Sequence, residues 1–277
     1  MDGDLGDFLR SRRARIRPEE VGLPSYGRRR VPGLRREEVA QLAGVSVDYY
    51  VRLEQGRAPD GVSDAVLDAV ARVLRLDAAE HEYLRAVARP PRRTADPAPE
   101  PAPVRPAVQR LLDGMGSVPA YVLDHRMNAL AWNPLADALL GFSGAAPADR
   151  NLVRRAFLDP GARELYPDWT EIAEQTVAHL RLKAGHHPGD PEVADLVTEV
   201  SARSTEFRRM WDDHLVRPCD TGVKRLHHPV TGLLTLPYET LTIPSSPDQT
   251  IVTYVPEPDT ETAERLTMLG SWKAAAV

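Results

Sequence analysis

The sequence predicts an all-α domain followed by an α+β domain built on a five-stranded antiparallel sheet. Three observations carry this reading. Apolar residues recur at helical spacing up to about residue 89, a proline-rich stretch runs from Pro90 to Pro106, and from Gly222 the apolar period shortens to that of strands. The expected organisation is a first domain over residues 1–89, a spacer over 90–106 and a second domain over 107–273. At 277 residues, each half is long enough to bury a core of its own.

Leu5 to Ile16 form the first helical pattern, and a loop with Pro18, Pro24 and Pro32 follows. Residues 34 to 57, LRREEVAQLAGVSVDYYVRLEQGR, then hold two short helical patterns split by Ala43-Gly44-Val45. In the first, Leu34, Val39, Leu42 and Ala43 are expected on the inner face. Gly44 can end that helix in a left-handed conformation without a Cβ penalty, and Ser46 can cap the next by accepting a backbone N–H. In the second pattern Val45, Tyr50 and Leu53 pack back, which leaves Val47, Asp48, Tyr49 and Arg52 outward. Ser63 opens a fourth helix with Val66, Val70, Val73 and Leu74 inward, and Asp77 with Glu80 forms a capping box for a fifth that ends near Arg89.

Two short helices around such a turn have the spacing of a helix-turn-helix, whose second helix enters the DNA major groove. Arg52 is the expected guanine reader through a bidentate fork; Asp48 suits a cytosine amine and Val47 a thymine methyl, with Tyr49 beside them. Ser46 and Arg36, each at a helix start, are placed for phosphate, with Arg35 and Arg57 as additions. Charge supports this. The chain carries a net −5, yet residues 10 to 57 hold twelve arginines against six acids, so the remainder carries about −11. Arg10, Arg12, Arg13 and Arg15 form one cluster and Arg28, Arg29 and Arg30 another. The second is expected to touch phosphates or the minor groove.

The spacer, with seven prolines and almost no large apolar residue, reads as extended and semi-rigid, leaving the two domains free to change their relative orientation. The second domain opens on a hairpin, Ala120 to Leu123 and Asn128 to Trp132, around Asp124-His125-Arg126. Helical patterns follow at Leu135/Leu139/Leu140, Leu152/Val153/Phe157, Ile172/Val177/Leu180 and Val193/Leu196/Val197/Val200. Asp168 with Glu171 and Asp190 with Pro191 are helix starts. Strands are expected near 223–228, 232–242 and 250–255. Two strands, several helices and three strands allow one antiparallel sheet with helices on one face, a PAS-like layout.

Several function classes are disfavoured. The lone Cys219 supports no disulfide framework, and no apolar run reads as a signal or membrane span, so a cytoplasmic protein without membrane association is expected. The histidines at 179, 186, 187, 214, 227 and 228 lack metal-binding spacing, and there is no HExxH or paired CxxC, so no metal is expected. No GxSxG elbow, P-loop or GxGxxG follows a strand, so no enzyme and no cofactor are expected.

Residues 29 to 57, RRVPGLRREEVAQLAGVSVDYYVRLEQGR, resemble the XRE/Cro-type helix-turn-helix of bacterial regulators. The runs FRRMWDDHLV at 207–216, HHPVTGLLTLPYETL at 227–241 and TYVPEP at 253–258 resemble the MmyB-like ligand-binding domain that accompanies it. The resemblance implies a PAS-like sensor with a fatty-acid-like apolar ligand between sheet and helices. Trp132, Phe157, Trp169, Phe207, Met210, Trp211, Leu234, Leu236 and Tyr238 are the candidate lining, although residues of these types at such spacing also build plain cores. Arg154, Arg155 and His214 are candidate partners for a carboxylate head group. The expected function is a sequence-specific transcriptional regulator, a repressor, acting as a homodimer on a palindromic operator in double-stranded DNA and responding to an apolar small molecule. The alternative makes the second domain a protein-interaction or dimerisation module without a small ligand.

Overall fold

A computed structural model describes residues 4–23, 31, 33–57, 61–89, 102–217 and 220–275. Five helices form the first unit: α1 (Asp4–Arg15), α2 (Arg36–Ala43), α3 (Val47–Glu54), α4 (Asp64–Val73) and α5 (Ala78–Ala88). Phe8, Leu9, Leu34, Val39, Tyr50, Leu53, Leu67, Val70 and Leu84 share one core, in which the Phe8 and Tyr83 rings meet edge to face at 4.9 Å. The caps are those the sequence predicts. Gly44 takes φ 70°, and Val45 N donates back to Ala40 O at 3.0 Å, which closes α2. Ser46 Oγ accepts from Tyr49 N at 3.1 Å, and Asp77 and Glu80 complete the reciprocal box.

Two faces differ from the sequence reading. Leu42 is exposed, and Ala40 takes the inner place. On an eight-residue helix whose inward centre lies among Val39, Ala40 and Ala43, position 42 is rotated away by roughly 100°. In α4 the stripe is Leu67, Val70, Ala71 and Leu74, with Val66 and Val73 flanking it half-buried.

Glu54, at the end of α3, is fully buried and binds two other helices. Its carboxylate accepts from Arg13 Nε at 3.0 Å and Nη2 at 3.1 Å, and from Arg36 Nε at 2.9 Å. Burial pushes Glu54 upward, but the hydrogen bonds from Arg13 and Arg36 outweigh it and hold the group below its ordinary 4.5.

The second unit contains α6 (Pro106–Gly114), β1 (Ala120–Asp124), β2 (Ala129–Trp132), α7 (Pro134–Leu140), α8 (Leu152–Leu158), α9 (Ala162–Leu165), α10 (Trp169–His186), α11 (Pro191–Arg203), α12 (Thr205–Asp212), β3 (Thr221–His228), β4 (Gly232–Thr242), β5 (Gln249–Tyr254) and α13 (Glu261–Ala275). The strands pair antiparallel in the order β2-β1-β5-β4-β3, with Tyr121 opposite Val252, Tyr238 opposite Tyr254 and Leu226 opposite Leu234. Tyr121 and Leu123 join the large core that the helices cover; Ala120 and Val122, on the other face, pack with Val108 and Leu112 of α6. Helices therefore cover both faces, where the sequence predicts one. Buried Asn133 fixes α6, donating to Leu112 O at 3.2 Å and Val118 O at 2.7 Å while its Oδ1 caps α7 through Ala136 N. Asp190 caps α11, as expected; Asp168 stands at the start of α10, as expected, while its two oxygens accept from Arg225, at 2.6 and 2.7 Å.

The two units are packed together, which replaces the free reorientation expected from the spacer. Leu182 of α10 and Val216 join the core of the helical unit. Gly185 lies so close to Tyr83 of α5 that a Cβ there would meet the ring at 2.6 Å. Buried Arg12 donates to His214 O at 2.8 Å and pairs with Glu80 at 2.8 Å, Arg15 donates to Asp213 O, and His186 meets Glu82 at 3.1 Å. Arg181, 1% exposed, stacks on Trp211 and donates to its carbonyl.

Glu54→Gln should cost about 3–5 kcal/mol in a denaturant titration, because it strands Arg13 and Arg36. The unfolded chain takes up the Glu54 proton more readily than the folded one. The stability owed to this carboxylate is therefore complete above pH 4.5 and lost as pH falls through the folded value, a dependence the variant should lack.

Candidate nucleic-acid interface and sensor cavity

Among the described residues, nothing covers the outward side of α3. Val47 is 48% exposed, and the side chains of Asp48 and Arg52 are 78% and 49% exposed. Packing explains this, since α3 rests on α1 and α2 while the second unit docks through α1 and α5. Arg52 and Asp48, one turn apart, pair at 3.1 Å, which holds the guanidinium over the helix at a cost or benefit of only about 0.5 kcal/mol. Tyr49 is half-buried beside them.

The surrounding arginines divide by what they touch. Arg35 and Arg57 are exposed at the rim, Arg35 Nη1 lying 3.4 Å from Glu37. Arg36 is exposed in part, but Glu54 fixes its guanidinium. Arg12, Arg13 and Arg15 bind protein groups, so the α1 cluster is structural over most of its length. Arg28, Arg29 and Arg30 lie outside the described residues.

In the second unit a small cavity of about 40 Å³ sits between the sheet and α10. Leu123, Met127, Leu152 and Val252 make its apolar wall; Thr176, His179 and Lys224 bring polar groups to it. Lys224 Nζ stands 4.7 Å from the centre of the Tyr238 ring. His179 Nδ1 is buried without a hydrogen-bond partner, and burial, with Lys183 and Lys224 adding to it, brings this imidazole down to about 3. The ring is neutral at physiological pH. The volume suits about one or two waters, so a larger guest requires the sheet and α10 to separate.

Residues 104–269 match the family model of the MmyB-like transcription regulator ligand binding domain, which spans more than half of the chain. The chain belongs to this family. Residues 4–84 match a helix-turn-helix domain, and no curated protein matches. The MmyB-like regulator is thus a DNA-binding transcription regulator with a domain for a small-molecule effector. No helix among the described residues is long and apolar enough to cross a membrane.

Of the lining residues named from the sequence of this MmyB-like regulator, Tyr238 borders the cavity. Phe207, Met210, Leu234 and Leu236 are closed into the core, with Trp132, Phe157, Trp169 and Trp211 half-buried against it. Phe207 packs edge to face on Phe157 at 5.1 Å and stacks on Trp211 at 5.7 Å, as a packing cluster does. Phe157 and Trp169 border a separate surface cleft of about 230 Å³. Arg154 is held by Glu199 at 2.7 Å, Arg155 donates to Leu140 O, and His214 belongs to the seam between units. Lys224 and His179 also border the cavity, and neither is among the lining residues named from the sequence. The alternation of β3 is the available signal, for Lys224 shares the inward side with Leu226 and His228.

Phe207→Ala should destabilise the protein by about 3–5 kcal/mol. Lys224→Ala, which removes only a charge beside a ring, should cost under about 1 kcal/mol. Thermal and denaturant unfolding of the two variants checks the division between core and cavity.

Proposed function

We propose that this regulator is a cytoplasmic repressor, binds as a homodimer to a palindromic operator, and releases or tightens that grip when an apolar, fatty-acid-like molecule enters between the sheet and α10. The observation that carries this reading is the double contact of α10. Thr176 and His179 face the cavity, and Leu182 and Gly185, within three turns of the same rigid helix, press on the core and Tyr83 of the reader. A guest too large for the present cavity favours a displaced α10, so it binds two arrangements of the seam unequally. That difference is the requirement for a population shift.

In this reading, residues 1–89 are the reader, 90–106 the spacer and 107–273 the sensor. Arg52 and Val47 meet base edges, with Asp48 and Tyr49 beside them. Ser46, Arg35, Arg57 and the partly exposed Arg36 face phosphates, and Arg28, Arg29 and Arg30 are assigned to phosphates or the minor groove by their charge. Lys224 is the group best placed for a carboxylate head, and Tyr238 borders the tail. The homodimer finds support in α13, where Met268 and Trp272, one turn apart, are 67% and 59% exposed.

Arg52→Ala is expected to weaken binding to the preferred site by about 1–3 kcal/mol and to random DNA far less. Equal loss on both, measured by fluorescence anisotropy, moves Arg52 to the phosphate-contacting set. For the sensor, a long-chain fatty acid should change operator affinity several-fold in the natural protein. Gly185→Ala, which wedges the seam at Tyr83, should retain fatty-acid binding by native mass spectrometry but lose that response. Protein that stays empty, with unchanged DNA binding, would refute the ligand and favour an interaction module.

A further inference from the structure

Three separated segments bring nitrogen and oxygen donors together at one end of the second unit. His125 comes from the β1–β2 turn, His187 from the end of α10 and Asp248 from the loop before β5. One donor atom from each lies within 4.8 Å of the others. The two imidazoles stack with their centres 3.9 Å apart, and His187 Nε2 stands 3.2 Å from Asp248 Oδ1.

The arrangement has the supporting layer that a metal site uses. His125 Nε2 donates to Asp190 Oδ2 at 2.7 Å, which leaves Nδ1 as the lone-pair atom of that ring. Asp190 is itself immobilised, accepting from Arg126 Nε at 2.8 Å and from Glu192 N at 2.9 Å as the cap of α11. A carboxylate behind a histidine, locked in turn by a guanidinium and a helix start, fixes both tautomer and ring direction. The stacked rings and the Asp248 carboxylate thus converge from three segments on one small volume. Neutral rings are the ligating form.

We propose that His125, His187 and Asp248 bind one divalent transition-metal ion of the zinc class, with Asp190 as the positioning residue behind His125. Two imidazoles and a carboxylate suit zinc, cobalt or nickel better than calcium or magnesium. Donors on a tetrahedral zinc ion stand roughly 3.3 Å apart, given bonds near 2.0–2.1 Å. His187 Nε2 and Asp248 Oδ1 already stand at that spacing, 3.2 Å apart, and the Asp248 side chain, 55% exposed on a loop, leaves solvent an entry path on its side of the cluster. The ion would tie the hairpin turn and that loop to the end of α10, one residue from His186 and its contact with Glu82 of the reader.

The test is cobalt(II) titration of chelator-treated full-length protein, followed by the visible d–d bands, with zinc(II) as competitor. The expected result is one equivalent bound, bands of a four- or five-coordinate site, and affinity lowered at least tenfold in both His187→Gln and Asp248→Asn. Zinc(II) should also raise the thermal midpoint of the natural protein and not that of Asp248→Asn, a loop change that keeps the test alive if His187→Gln fails to fold. No binding by the natural protein, or binding of equal affinity in Asp248→Asn, overturns the site.

Discussion

A buried carboxylate governs how α3 is held. Glu54 closes α3 from beneath, and its partners Arg13 and Arg36 come from α1 and α2, so three helices share one desolvated charge cluster. Such a cluster is geometrically exacting, since each oxygen must find its donor or the burial is destabilising. The exposed side of α3 is its counterpart: with Glu54, Tyr50 and Leu53 turned inward, Val47, Asp48 and Arg52 have no direction left but solvent.

The same α1 helix reaches in two directions. Arg13 serves α3, while its neighbour Arg12 crosses to Glu80 and the carbonyl of His214. Opposite it, α10 stands between the sheet and the reader. The cavity wall, the helix and the Tyr83 ring are in contact in turn. Coupling between small-molecule occupancy and DNA binding therefore has a short mechanical path available to it.

Local chemistry was legible, and long-range chemistry was not. The Gly44 turn, the Ser46 and Asp77 caps, the β1–β2 hairpin and the last three strands were all written in spacing and turn residues, and each formed within a residue or two of expectation. α6 escaped notice behind the proline-rich stretch; α13 buries little beyond Leu266 and Leu269, so its pattern is faint. Leu42 misled because an eight-residue helix gives periodicity too few turns to fix a face. Leu182 and Val216 pack against the other unit, a partnership that no local pattern marks. Glu54 meets an arginine 41 positions away, and the His125, His187 and Asp248 cluster spans more than a hundred, separations at which a single sequence carries no signal. The aromatic residues named from the sequence lie mostly in the packing cluster around Phe207, and the cavity between sheet and α10 is bordered by a lysine and a neutral histidine.

The seam has a bearing on how this chain can be dissected. Cutting it in the spacer would uncover the apolar ground under Leu182 and Val216 and strip the Arg12 guanidinium of its carbonyl acceptor. A truncated reader would thus carry a sticky, freshly hydrated flank that the intact molecule never presents, and its solubility and self-association would describe the wound rather than the protein.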